Sequence, residues 1–317
     1  MKSIASAPGK IILFGEHFVI YGIKAVLCST DKKITATSQF VDEKIVRIRS
    51  SLGESEMRIE SLDNLENVQQ KFMKPFFHIA KKTLMENSTK QGIEIIIESE
   101  IPPGVGLGSS SAACVAVTAS VNGLFHRLSK EEVVKLSVEA ERTIFEQNSG
   151  ADSSVSTFGG LVSYDLQDGF QRIPSRNDLS FIISNSAQVH NTQDVVRQVR
   201  QFKEKNEDLF NKLCREEIDI VDNAITSLKE NDLNKLGSLM LRNYELLKQI
   251  GVSTEKIDIL IKEARKTSYG AKITGAGGGG CIIALVDNSN AKDTLNNLGK
   301  ISDCFITKID HNGLQYA

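Results

Sequence analysis

The segment Ile101-Pro-Pro-Gly-Val-Gly-Leu-Gly-Ser-Ser-Ser-Ala112 constrains the fold more than any other part of this 317-residue chain. It follows the β-branched stretch Ile93 to Ile101, which reads as a strand, and runs into Ser109 to Leu124, which is rich in Ala, Val and Ser and has no polar face. A helix of that composition should be buried rather than lie on the surface. The glycines between strand and helix allow a tight turn that presents backbone N–H groups. The helix start adds unpaired donors and a partial positive charge. Together these make a phosphate cradle, with the hydroxyls of Ser109, Ser110 and Ser111 placed where phosphate oxygens or a metal would lie. The Gly-Lys-[Ser/Thr] ending of a Walker A loop is missing, which disfavours a P-loop NTPase.

Around this landmark the first half reads as strands with interposed helices. Ile34 to Phe40, Lys44 to Arg49 and Met57 to Glu60 are β-branched or alternating. Val68 to Met85 reads as a helix in which Pro75 marks a start or a kink. Ser129-Lys130-Glu131-Glu132 is a capping box opening a helix with Val133, Leu136, Ala140 and Ile144 on one face. The second half is mostly helical. A strand at Leu179 to Ser184 leads to Thr192, an expected N-cap for a helix burying Val195, Val199 and Phe202. Amphipathic helices centred near Val221, Leu239 and Ile261 follow, the last capped by Thr254 and stopped near Tyr269-Gly270. Strands at Cys281 to Val286 and Phe305 to Ile309 flank a helix begun by Ser289 or Asn290. At about 100–200 residues per domain this length suggests two, and the least forced division is 1–180 and 181–317.

Composition removes several function classes. Lys plus Arg number 38 against 40 Asp plus Glu, a formal charge of -2, so no basic field gathers nucleic acid or anionic lipid and any phosphate must be held by local geometry. Five scattered cysteines form no C-x-x-C and no metal-like pairing with the five histidines, the expectation for reduced thiols in a cytoplasmic protein. The apolar stretch Ile11 to Phe14 is shorter than a signal-peptide core, and nothing reaches the ~18 apolar residues of a membrane span. A cytoplasmic protein with no membrane or nucleic-acid partner is the expectation.

Three further segments bear on chemistry. Lys272-Ile-Thr-Gly-Ala-Gly-Gly-Gly-Gly-Cys281 formally contains G-x-G-x-x-G, but a strand-like run follows it where a dinucleotide fold needs a helix. These glycines suit either close approach by a triphosphate or a strand-entry turn packed beneath a site. In Ala5 to Gly22, Lys10 and Glu16 interrupt an apolar, strand-like run; an unpaired charge there is costly, so each should line a polar cavity or find a partner. Glu141 lies inside the helix opened by Ser129, and Asp152 follows in a small-residue loop after it. A helical acid can hold Mg²⁺ through oxygen, and Asp152 could face a hydroxyl nucleophile.

Taken together, Ala7-Pro-Gly-Lys10 with Gly15-Glu-His17 and Gly22, Pro102 to Ala112, and Lys272 to Gly280 resemble the GHMP kinase superfamily, and within it the mevalonate kinase branch. Galactokinases carry an arginine-rich, Asn-containing opening instead. The resemblance implies an α+β fold with an N-terminal ribosomal-S5-like domain, a C-terminal ferredoxin-like domain and ATP in the cleft between them. It implies that Pro103, Gly104, Val105, Gly106, Leu107, Gly108, Ser109, Ser110 and Ser111 hold the ATP phosphates and that Ser110 and Glu141 bind Mg²⁺. It further implies that Asp152 is the catalytic acid residue and Lys10 the cation at the reacting hydroxyl. Glu16 and His17 then fall near the mevalonate pocket, and Thr192, in Val189-His-Asn-Thr192, contacts phosphate or substrate. Many mevalonate kinases have His-Gly-x-Pro-Ser-Gly-x-Asp where this chain has Phe145-Glu-Gln-Asn-Ser-Gly-Ala-Asp152, so the turn before the aspartate lacks His, Gly and Pro. The implied reaction is phosphorylation of mevalonate by ATP, in an enzyme whose relatives are often homodimers. The rival readings are a phosphomevalonate kinase or other small-alcohol kinase of the superfamily, and a silent nucleotide-binding sensor. The sensor should have lost the lysine, the serine or the aspartate, and all three are present.

Overall fold

The structure is a computed structural model that describes residues 1–317 apart from Pro103, Glu146, Gln147, Leu166, Asp168, residues 175–178 and His190. The first part of the chain forms β1 (Lys2–Phe14), β2 (Ala25–Val41), β3 (Ile45–Ser50), β4 (Gly53–Arg58), α1 (Lys74–Glu86), β5 (Gly92–Ser99), α2 (Ser109–Asn122), α3 (Lys130–Glu141), α4 (Ala151–Phe158), β6 (Leu161–Asp165) and β7 (Gly169–Arg172). The remainder forms β8 (Ser180–Asn185), α5 (Thr192–Lys205), α6 (Glu207–Glu230), α7 (Leu233–Gln249), α8 (Glu255–Ala264), β9 (Gly270–Thr274), β10 (Cys281–Val286), α9 (Ala291–Gly299), β11 (Cys304–Lys308) and β12 (Gln315–Tyr316). This is an α+β chain, as expected. Among the described residues no helix is long and apolar enough to cross a membrane.

Two sheets organise it. The larger runs β12-β1-β2-β5-β3-β4, and the start of β2 also pairs with β6, which pairs with β7. The smaller is antiparallel in the order β11-β8-β10-β9. Helix α2 packs on β1 and β2 and is enclosed by α1, α3 and α4. Every residue from Ser111 to Asn122 is buried, which is why this helix carries no polar face. Val115 and Val117 are fully enclosed, each worth about 1.5–3 kcal/mol of burial. Ser129 and Glu132 form the expected capping box of α3.

The structure moves several sequence-based boundaries. The strand placed at Met57 to Glu60 lies earlier, because the pairing Ser50↔Gly53 closes a two-residue hairpin and the chain then enters a 3₁₀ turn at Ile59–Ser61. The helix placed from Val68 begins at Lys74, and Pro75 is a start and not a kink, its missing N–H falling where the first turn needs none. Asn191 and not Thr192 caps α5, accepting from the Gln193 N–H at 2.9 Å. Gly270 does not stop α8. It opens β9, where a Cβ would stand 2.0 Å from the Gly237 carbonyl oxygen of α7.

A candidate active site between two glycine loops

The segment Ala7-Pro-Gly-Lys10 acquires a physical reason in the pairing of β1 with β2. Partners run Pro8↔Lys33 and then Lys10↔Ser29, a bulge that re-aims the strand at Lys10. Pro8, with no N–H to give, suits the break in the ladder. Gly9 leaves room for the glycine loop before α2, since a Cβ there would meet the Leu107 carbonyl oxygen at 2.8 Å. Lys10 N–H then donates to that same oxygen at 2.9 Å, so strand and loop are locked together.

The loop itself alternates conformations. Gly104, Gly106 and Gly108 take φ of 74°, 72° and 67°, values that favour glycine. A Cβ on Gly104 or Gly106 would meet nothing within 4 Å, which leaves open space on that side of the loop. A Cβ on Gly108 would lie 2.8 Å from Lys10 Cγ. Gly108→Ala is therefore expected to displace Lys10 and lower kcat, at a backbone cost of about 1–2 kcal/mol in denaturant unfolding. Gly106→Ala is expected instead to raise the KM for nucleotide; identical kinetic signatures for the two would contradict this division. Pro103 lies outside the described residues.

Asp152 sits in the first turn of α4, after Gly150 at φ 77°, where the helix N-terminus favours a carboxylate. Its Oδ2 stands 3.2 Å from Lys10 Nζ; the lysine is buried and the aspartate about a third exposed. Behind it, Glu141 is buried, and its Oε1 accepts from the Ser111 hydroxyl at 2.7 Å. Its Oε2 accepts from the Ser153 hydroxyl at 2.9 Å and the Asn148 amide at 2.8 Å. The serine that reaches Glu141 is thus Ser111 and not Ser110, the residue the resemblance pairs with it. Asn148 Oδ1 also accepts from the Gly150 N–H at 2.8 Å, so an asparagine ties the carboxylate to the cap of α4 in the turn that lacks His, Gly and Pro.

Lys10, Glu16, His17, Val105, Gly106, Asp152 and Thr192 all line one cleft of about 390 Å³, together with Gly275, Ala276 and Gly280 of the second glycine run. That run divides its labour. A Cβ on Gly277 or Gly279 would meet the Val252 or Gln188 carbonyl oxygen at 2.4 Å, whereas Gly275 faces open space. The strand β10 follows it, as the sequence required. Gly277 and Gly279 are thus the packed turn at the strand entry, and Gly275 is the position left open to the cleft.

The acid Glu16 resolves as a paired charge. Its Oε1 takes a hydrogen bond from the Lys272 ammonium, which also donates to the Ile273 carbonyl at 2.6 Å. Burial pushes the Glu16 carboxyl up and the Lys272 amine down, while their mutual attraction opposes both shifts. His17 Nε2–H donates to the Ala276 carbonyl at 2.7 Å, and burial lowers its pKa. Two buried residues beside this group escaped the sequence reading, Glu217 and Asn243. The signal was present for both. Glu217 falls between Leu213 and Val221 and Asn243 between Met240 and Leu247, in the apolar stripes of their helices.

The model of the GHMP kinases N-terminal domain matches residues 74–160, and that of the GHMP kinases C-terminal domain matches residues 224–301. The chain is 34% identical to the mevalonate kinase of Pyrococcus furiosus over 307 residues, 91% of this chain and 90% of that protein. The chain belongs to the GHMP kinase family. It is also 37% identical to the mevalonate kinase of Archaeoglobus fulgidus, over 91% of this chain and 94% of that protein. The crystal structure of Methanococcus jannaschii mevalonate kinase superimposes with a TM-score of 0.87 at 29% identity, covering 97% of this chain and 98% of that one. The fold is therefore the GHMP kinase fold, and the chain is an ATP-dependent small-molecule kinase.

Proposed function

We propose that the chain transfers the γ-phosphoryl group of ATP to the C5 hydroxyl of (R)-mevalonate, giving 5-phosphomevalonate for isoprenoid synthesis. The observation that carries the reading is the meeting of Lys10 and Asp152, from β1 and α4, in a cleft bordered by both glycine loops. An alcohol is a weak nucleophile at neutral pH. Asp152 orients the hydroxyl and accepts its proton, and Lys10 stabilises the negative charge that develops between that oxygen and the phosphorus. Residues 104–111 hold the phosphates through backbone N–H groups and serine hydroxyls, so alignment does most of the work, as phosphoryl transfer allows. Glu16, His17 and Thr192 border the acceptor side.

The donor set near the phosphate loop fits Mg²⁺, being oxygen only: the Glu141 carboxylate and the adjoining serine hydroxyls. Three protein donors already reach Glu141, which leaves one of its roughly four acceptor directions. In this reading Glu141 and Ser110 would hold the ion, which when bound supplies neutralising charge to the phosphates.

The cleft favours mevalonate over phosphomevalonate as acceptor. Among the described residues that line it, Lys10 is the lysine or arginine, so a second phosphate would find no further strong cation. Measuring ADP release with mevalonate, phosphomevalonate, homoserine and galactose in parallel tests the assignment. Turnover with mevalonate alone is expected; preference for another acceptor would refute it. The same reading places the reaction in the cytoplasm, with a homodimer as the assembly, and divides the chain into domains 1–180 and 181–317. Supporting the division, the larger sheet is built from residues 2–172 and the smaller from residues 180–308, while the last strand, 315–316, returns to the larger sheet.

A further inference from the structure

Three consecutive residues of one cleft wall are each held by a group from the far half of the chain. Gly15 N–H donates to Glu217 Oε1 of α6 at 3.0 Å, Glu16 is paired with Lys272 of β9, and His17 is bonded to Ala276 of the second glycine run. The turn they form is a tense one. Gly15 takes φ 91° with its Cα pressed on β2, where a Cβ would stand 2.5 Å from Ala25 Cα, and His17 takes φ 60°, a value side chains seldom adopt. Such a conformation persists only where the surroundings over-determine it. Gly15, Glu16 and His17 line the cleft, whereas Glu217 and Lys272 do not.

We propose that Glu217 and Lys272 are positioning residues that, without reaching the cleft, fix the Gly15–His17 turn and so set the affinity for the alcohol acceptor independently of the nucleotide. The inference rests on the assignment of that side of the cleft to the acceptor. Glu217 and Lys272 are both fully enclosed, and so is Asn243, whose amide donates to both Glu217 oxygens at 2.7 Å. The groups that face Glu217 from elements packed against it are Glu16 of the turn, Lys272 of β9 and the Asn243 amide of α7, with Cys214 on its own helix. Two carboxyls thus share one ammonium in a dry site, where a second negative charge is strongly disfavoured. Burial, with Glu16 adding repulsion, pushes Glu217 up to about 8, so at neutral pH it keeps its proton. The folded chain then holds a proton that the unfolded chain releases above the ordinary value of 4.5. The contribution of this group to stability is full below that value and is lost as pH rises through about 8. As Glu217 ionises, charge repulsion against Glu16 loosens the turn.

The decisive experiment compares wild type, Glu217→Gln and Glu217→Ala. Glutamine copies the protonated acid, accepting from Gly15 and donating to Asn243 once that amide turns over. In wild type the KM for mevalonate is expected to rise about 10-fold between pH 7 and pH 9.5, and in Glu217→Gln to stay flat. In Glu217→Ala it should be about 10-fold higher at every pH, with kcat and the KM for ATP nearly unchanged. Hydrogen exchange of the peptide spanning Gly15 to Gly22 supplies a readout that needs no substrate: faster at pH 7 in Glu217→Ala, unchanged in Glu217→Gln. Equal pH profiles in wild type and Glu217→Gln, or exchange that does not distinguish Ala from Gln, would overturn the positioning role. If Glu217→Ala fails to fold, the wild type and Glu217→Gln profiles still decide. A wild type inert toward mevalonate, but with the expected exchange pattern, would defeat the substrate assignment alone.

Discussion

Asparagine at position 152 is expected to lower kcat by about 10²–10⁴ and to leave nucleotide binding intact. The change preserves shape at the first turn of α4 and removes the property that the proposed mechanism assigns there, the capacity to take a proton. Nothing about the glycine loop before α2 should alter, because Lys10 and the Leu107 carbonyl remain joined through the backbone. Stability should change little, since a pair with one partner about a third exposed contributes modestly to folding. The test sets kcat from ADP release beside the affinity for a non-hydrolysable ATP analogue from calorimetry. Undiminished turnover would remove Asp152 from the mechanism, and lost nucleotide binding would place it on the wrong side of the cleft.

Lys10→Met should be nearly as severe, with kcat lowered by about 10²–10³. Methionine keeps an unbranched stem against Gly108, where the lysine Cγ now packs, and deletes the charge alone. If, as proposed, both residues act on the same oxygen, the double variant with Asp152→Asn should lose about as much as the worse single one. Losses that multiply would mean that the two side chains act at separate points, contrary to their 3.2 Å separation.

Much of this site was legible in the order of residues. The interior helix α2 betrays itself by lacking any polar face, and the glycine loop before it suits the presentation of N–H groups. Lys10 and Glu16 stand out because charges inside an apolar strand demand an answer. What could not be read was which answer. Lys10 meets an acid 142 positions away in sequence and Glu16 a lysine 256 positions away. No local pattern encodes such pairings, which are made by the packing of α4 on β1 and by the contact of β9 with β1. Glu217 and Asn243 were hidden for a related reason: on an amphipathic helix one polar residue in the apolar stripe reads as an imperfection until a partner is seen opposite. The boundary errors were milder. Thr192 and Asn191 both suit a cap, and only the backbone decides that Asn191 stays outside the helix.

The enclosure of α2 on every side bears on how such an enzyme can change over time. An element with no watery side offers few places where substitution is harmless, because added volume strains the surrounding layers and lost volume leaves a void. The loop that α2 carries at its N-terminus should thereby tolerate little change in shape. Adaptation to a new acceptor or working temperature must draw instead on α6 and α7, whose outer faces are open to solvent and whose inner faces reach the turn at Gly15 through Glu217 and Asn243. Novelty in this scaffold should enter through that more permissive flank and travel inward.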